Sequence, residues 1–148
     1  MIEYKGEVTI NVPAERLFQA LTNASGYDMW TDMSGTHMVS GNAMDQVGAQ
    51  VETVLGQGPM KQKMVFEVNE VEPNRRITFK TVSKGSMQWD SEYRLEAQGP
   101  SATRLLASGQ IRLSGAARLM EGVMSGEIKK GEQQEIEKLK TLLETGKL

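Results

Sequence analysis

The stretch TRLLASGQIRL, residues 103–113, runs after Ser114 into GAARLMEGVMSGEIKKGEQQEIEKLKTLLE, residues 115–144, and the change of period between them decides the fold. In the first segment Leu105, Ala107, Gly109, Ile111 and Leu113 fall on one side, and Arg104, Ser108, Gln110 and Arg112 on the other. That period of two is the pattern of a strand with one dry face. In the second segment the apolar residues form one helical stripe: Ala116, Leu119, Met120, Val123, Met124, Ile128, Ile136, Leu139, Leu142 and Leu143. Glu127, Lys130, Glu135, Lys138 and Lys140 are assigned to the opposite face, read as solvated. A sheet that is wet on one side needs a cover on the other. The amphipathic helix is that cover.

Working back from residue 103, Met87, Trp89, Ser91, Tyr93 and Leu95 alternate with Gln88, Asp90, Glu92, Arg94 and Glu96 in a second half-buried strand. Further strands are predicted at Thr36–Gly41, Ala49–Leu55, Met60–Val71 and Arg76–Val82. Turn-forming residues separate them: Gly41-Asn42, Gly56-Gln57-Gly58-Pro59, Pro73-Asn74, Lys84-Gly85 and Gln98-Gly99-Pro100. At the N-terminus Ile2, Tyr4, Val8, Ile10 and Val12 alternate with Glu3, Lys5, Glu7, Thr9 and Asn11. Pro13 then opens a helix whose dry side is Leu17, Phe18, Ala20 and Leu21, and a second short turn is expected over Ala24–Trp30. The expected class is α+β: a seven-stranded curved antiparallel sheet around a long C-terminal helix, with two short helices after the first strand, and residues 1–148 as one domain.

Composition narrows the function. The 148 residues contain no cysteine, which removes disulfides, thiolate metal sites and cysteine nucleophiles. A net charge of −2 with interspersed signs lacks the basic footprint of a nucleic-acid binder. No apolar run approaches the length of a membrane span, and the first residues carry no apolar signal region, so a cytoplasmic location is expected. Ten methionines stand against three phenylalanines.

The order strand, two short helices, six strands, long helix resembles the START-like, or SRPBCC, superfamily and its helix-grip fold. The resemblance is strongest to the polyketide cyclase/dehydrase branch, with the G subunits of carbon monoxide dehydrogenase near it. It is carried by Val8-Thr9-Ile10-Asn11-Val12-Pro13-Ala14-Glu15-Arg16-Leu17-Phe18, Tyr27-Asp28-Met29-Trp30 and Val71-Glu72-Pro73-Asn74-Arg75-Arg76-Ile77. Tyr93-Arg94-Leu95, Thr103-Arg104-Leu105 and Ile136 to Glu144 complete it. Such a resemblance implies a cavity between sheet and helix that takes lipids, polyketides, sterols or hormones, with catalysis in only some members.

The residues ask for a cavity on their own terms. Thr81, Ser91, Ala107 and Gly109 are small for a dry face, and the facing helix holds Gly122, Gly126 and Gly131 at a helix-propensity cost of roughly 1 kcal/mol each. The small residues mean room for a ligand, a close approach of helix to sheet, or a helix broken near Ser125-Gly126. For a ligand, the expected walls are Met38, Met64, Phe66, Phe79, Met87, Trp89 and Tyr93 of the sheet, with Gly109 making room and Met120 and Met124 facing from the helix. Methionines adapt to irregular apolar guests; any single one at these spacings is more often ordinary core, and the expectation rests on the cluster. Trp30, Met29 and Met33 either form a lid or pack the short helices; Tyr93 and Gln62 are the polar groups available to orient a guest.

Other motifs weigh less. His37, the lone histidine, is read as a solvent-facing strand residue; Gly56-Gln57-Gly58-Pro59-Met60-Lys61 as a hairpin turn; Asp28 and Asp32 as solvated loop acids. No catalytic set, metal site or cofactor motif is read. Three functions follow in order: binding or transport of an apolar or amphipathic small molecule, a cyclase/aromatase using the same pocket with Tyr93 assisting, and an interaction or membrane-recruitment subunit. A homodimer is left open.

Overall fold

A computed structural model describes residues 1–56 and 58–148. Seven strands form one antiparallel sheet: β1 (Ile2–Ile10), β2 (Met33–Ser40), β3 (Gln50–Leu55), β4 (Gln62–Glu72), β5 (Arg76–Thr81), β6 (Met87–Ala97) and β7 (Thr103–Leu113). Their order is β1-β7-β6-β5-β4-β3-β2, so the chain meanders from β2 to β7 and then places β7 beside β1. The register of β6 and β7 is unbroken from Met87↔Leu113 to Ala97↔Thr103, as expected where both strands alternate cleanly. Register shifts in β2 and between Val68 and Glu70 of β4 add residues to one strand only, a device that bends a sheet. The Pro73-Asn74 turn is real: Asn74, at φ 63°, is the one non-glycine described with a left-handed backbone, which asparagine tolerates.

Between β1 and β2 lie α1 (Ala14–Leu21) and a 3-10 turn over Ser25–Met29. Pro13 caps α1 from just outside it, and Leu17, Phe18, Ala20 and Leu21 are buried as their spacing requires. After β7 the chain makes 3-10 turns over Gly115–Met120 and then α2 (Glu121–Glu144). The predicted helix therefore exists, but its first six residues wind more tightly and bury nothing. The sheet curls around α2 in the helix-grip arrangement. Among the described residues no helix is long and apolar enough to cross a membrane.

The C-terminal half of α2 is the anchor. Ile136, Leu139 and Leu143 are buried, and each such side chain contributes about 1.5–3 kcal/mol of transfer free energy. Polar side chains of the same half close the free edge of β1. The Gln133 amide accepts from Glu7 N (3.2 Å) and donates to Glu7 O (3.0 Å); Lys140 Nζ donates to Thr9 O (2.7 Å); Glu144 accepts from Asn11 N (2.7 Å). Gly6 makes this approach feasible, since a Cβ there would stand 2.7 Å from Gln133 Oε1.

Gly109 is small for a reason the sequence reading did not include: a neighbouring strand's ring fills its space. It pairs with Tyr4 across β1 and β7, and a Cβ on it would lie 2.2 Å from the Tyr4 hydroxyl. The space that Gly109 leaves is filled by the Tyr4 ring, so this glycine marks a close approach and makes no room for a guest. Gly122, Gly126 and Gly131 face open space, where an added Cβ would meet nothing within 4 Å, so they neither line a cavity nor admit a neighbour.

Candidate functional site

A cavity lies between the concave face of the sheet and the middle of α2. Five aromatic rings wall it: Tyr27 from the 3-10 turn, Phe66 from β4, Phe79 from β5, and Trp89 and Tyr93 from β6. Met33, Met44 and Val51 add apolar surface, Thr31, Thr36, Thr53 and Ser91 add hydroxyls, and Glu132 and Glu135 come from α2. The space open to the centre of a water-sized sphere is ≈ 50 Å³, and all non-atom space including the mouth is ≈ 530 Å³. The former is room for a few water molecules. A larger guest fills the mouth as well, or displaces the flexible Met33 and Met44.

The rings are held by one another and by their strands. Phe66 meets Trp89 edge-on at 5.7 Å, and Phe79 meets Tyr93 at 6.3 Å. Trp89 is pinned at three points: its indole N–H donates to the Tyr4 hydroxyl (2.7 Å), its backbone N–H donates to Thr81 Oγ1 (2.6 Å), and its carbonyl accepts from that hydroxyl (3.0 Å). Small Thr81 thus completes the ladder where β5 ends. The threonines are satisfied internally, Thr36 with Thr53 at 2.8 Å and Thr31 with the Tyr27 carbonyl at 2.6 Å. Burial, with the charge of Glu132 added, holds the Tyr27 and Tyr93 phenols far above their ordinary titration range, so both remain protonated donors.

The two glutamates differ. Glu135 Oε1 accepts from the Asp32 backbone N–H at 3.2 Å. Glu132 is only 6% exposed, and its Oε1 has no hydrogen-bond partner among the described residues. Loss of water around the Glu132 carboxyl, followed by repulsion from Glu135, raises its pKa to about 8. Burial, opposed by the Asp32 hydrogen bond, raises that of Glu135 to about 7. Among the described residues the cavity lining includes no lysine, arginine or histidine.

Of the residues named from the sequence, Met33, Phe66, Phe79, Trp89 and Tyr93 line this cavity. The others stand elsewhere. Trp30 is buried behind the wall, 4.9 Å from Tyr27 and 6.2 Å from Tyr93 between ring centres, and so is core instead of lid. Met64 and Met87 are buried core outside the lining, and Met38 borders a separate surface recess beside His37. Met120 is 45% exposed and Met124 packs at the margin of the core, and neither is among the residues lining the cavity. Gly109 is filled by Tyr4.

The minor motifs keep their structural readings. His37 is exposed, with Nδ1 2.7 Å from Gly35 O; Asp28 accepts from Gly35 N and Thr36 N; Gln62 is exposed. Gln57 of the Gly56–Lys61 turn lies outside the described residues, although Leu55↔Gln62 pairing shows that β3 and β4 form a hairpin. The sequence reading missed Tyr27, Met44, Val51, Thr53 and, most consequentially, Glu132. It also placed Glu135 in the solvated run. A signal existed: Glu132 lies four residues from both Ile128 and Ile136, on the buried stripe itself.

A profile of the polyketide cyclase / dehydrase and lipid transport family matches residues 1–144. The chain belongs to that family. Several solved structures share its fold over nearly their whole length. A Thermus thermophilus protein superposes with a TM-score of 0.81 at 13% identity, covering 99% of each chain. The Zhui aromatase/cyclase of a Streptomyces species gives 0.74 at 12% identity, covering 95% of this chain and 93% of the other. A START superfamily protein of Mycobacterium smegmatis gives 0.70 at 12% identity, covering 94% and 99%. No curated protein matches. At such identities the neighbours establish this family's architecture, and the contents of the cavity must speak for function.

Proposed function

We propose that this polyketide cyclase / dehydrase family member binds a small amphipathic organic molecule in the cavity between sheet and helix. The observation that carries this is the cavity's lining: five aromatic rings around a buried carboxyl oxygen that no described residue satisfies. Cores close-pack and pair their polar atoms, so an aromatic-walled space with an unmet acceptor is organised for something absent from the chain. Burying ~300 Å² of apolar ligand at ~25 cal/mol per Å² is worth a gross ~7–8 kcal/mol, and association costs reduce this to micromolar or weaker affinity.

Trp89 is the built-in reporter. Titration with 2-phenylethanol should change tryptophan emission saturably, and Ser91→Leu, which places a larger side chain into the lining, should abolish the response while circular dichroism stays unchanged. An undiminished response in that variant would remove the cavity from the account.

One observation favours a second reading, an enzyme of the cyclase or dehydrase kind. Glu135 at about 7 and Glu132 at about 8 lie at and just above neutrality, the range in which a carboxyl serves as general acid or base. Tyr93, protonated and beside them in the lining, is a further donor. Turnover of an aromatic polyketide mimic that disappears in Glu132→Gln would establish it; turnover equal in wild type and variant would exclude Glu132 from the chemistry.

A further inference from the structure

We infer that the guest of this cavity carries a protonated amine, with the ammonium group seated on Glu132 and Glu135 and its apolar body against the aromatic wall. This rests on the reading that the cavity binds a small molecule and specifies the class. Glu132 is more than nine-tenths buried, lines the cavity, and leaves Oε1 without a donor. Its neighbour Glu135 has one oxygen held by the Asp32 N–H. Two carboxyls on adjacent turns of one helix, with no cationic side chain among the described lining residues, form a site whose missing partner is positive. An N–H donor satisfies the unmet oxygen, and a cation compensates the acid pair; an ammonium group does both.

The rest of the wall agrees. Trp89, Phe66, Phe79, Tyr27 and Tyr93 surround the same space, and ring faces attract cations by their quadrupole, more strongly where water is excluded. The groups facing the acid pair are themselves neutral or negative: the Tyr27, Tyr93 and Tyr4 phenols, all held protonated by burial, and Asp32 beside Glu135. An anionic guest would find no cationic partner among the described lining residues.

Ionisation follows from binding. At pH 7 the Glu132 carboxyl is mostly protonated, and a docking ammonium favours the carboxylate, so binding releases a proton. Affinity for an amine therefore rises with pH, by up to about tenfold per unit below the carboxyl's pKa. Affinity for a neutral guest lacks this rise.

Three probes of matched shape test the inference on the intact chain: 2-phenylethylamine, 2-phenylethanol and 3-phenylpropionate, titrated at pH 7 against tryptophan emission, with proton release read by calorimetry in two buffers of different ionisation enthalpy. The amine should bind at least tenfold tighter than the alcohol, release close to one proton, and tighten between pH 6 and 7.5. Glu132→Gln, nearly isosteric, should weaken amine binding at least tenfold more than alcohol binding and lower proton release to the share that Glu135 supplies. An alcohol that binds as well as the amine, or an amine preference untouched by Glu132→Gln, would overturn the cationic guest and leave the cavity standing. Failure of all three probes to bind would overturn the cavity reading with it.

Discussion

The two ends of the C-terminal helical segment obey different rules. From Gly131 to Glu144 the helix buries Ile136, Leu139 and Leu143 and clamps the edge of β1 through Gln133, Lys140 and Glu144. From Gly115 to Lys130 it leaves Leu119 86% and Val123 66% exposed, and Gly122 and Gly126 face open space. Glu132 and Glu135 sit at the border between these regimes. The cavity's two carboxyls thus sit where a well-packed anchor gives way to a lightly packed arm. Amphipathicity in a sequence marks a face; whether that face is used depends on how far the partner sheet extends.

The largest test of this contrast removes the anchor. Leu139→Ala leaves a hole against fully buried neighbours and should lower unfolding stability by about 4 kcal/mol, read by chemical denaturation. Next is the acid at the border. Because the folded-state pKa of Glu132 (about 8) lies above its ordinary 4.5, the folded protein holds a proton that the unfolded chain releases between these values. The associated stability is complete below about pH 4.5 and is lost as pH rises through 8. Raising the pH from 6 to 9 should thus weaken the fold, and Glu132→Gln at pH 9 should raise stability on the order of 3 kcal/mol and flatten the profile, as followed by thermal melts. A wild-type melting temperature independent of pH over this range would contradict the buried carboxyl.

Smaller effects separate anchor from arm. Gln133→Ala breaks both bridges to Glu7 and should cost about 1 kcal/mol. Gly126→Ala should stabilise by about 0.5–1 kcal/mol, since its added methyl meets nothing and the unfolded chain loses freedom. Val123→Ser, on the exposed side of the arm, should change stability by less than about 0.5 kcal/mol. A cost comparable to that of Leu139→Ala would mean that the arm is packed in solution.

The sheet was legible because its signals are local. Alternation in β1, β6 and β7, and turn residues such as Pro73-Asn74, each act within a few positions, and the strands lie where those patterns put them. The lining was legible only where alternation alone selects it, as for Phe66, Phe79, Trp89 and Tyr93. Gly109 misled because smallness has two causes, and only the register with Tyr4 tells a filled space from an empty one. Glu132 was hidden by chemistry: among Glu127, Lys129, Lys130 and Glu135 its charge reads as solvation, while its spacing from Ile128 and Ile136 places it inside. Where residue type and periodicity disagree, periodicity was the better guide.

The pairing of β1 with β7 has a consequence for assembly. Ile2 finds its ladder partner in Ile111, so β1 stays single while the intervening meander is translated. Contacts this remote in sequence carry a heavy loop-closure penalty and slow folding. The nascent chain is therefore expected to zip its hairpins first and to shut the sheet late.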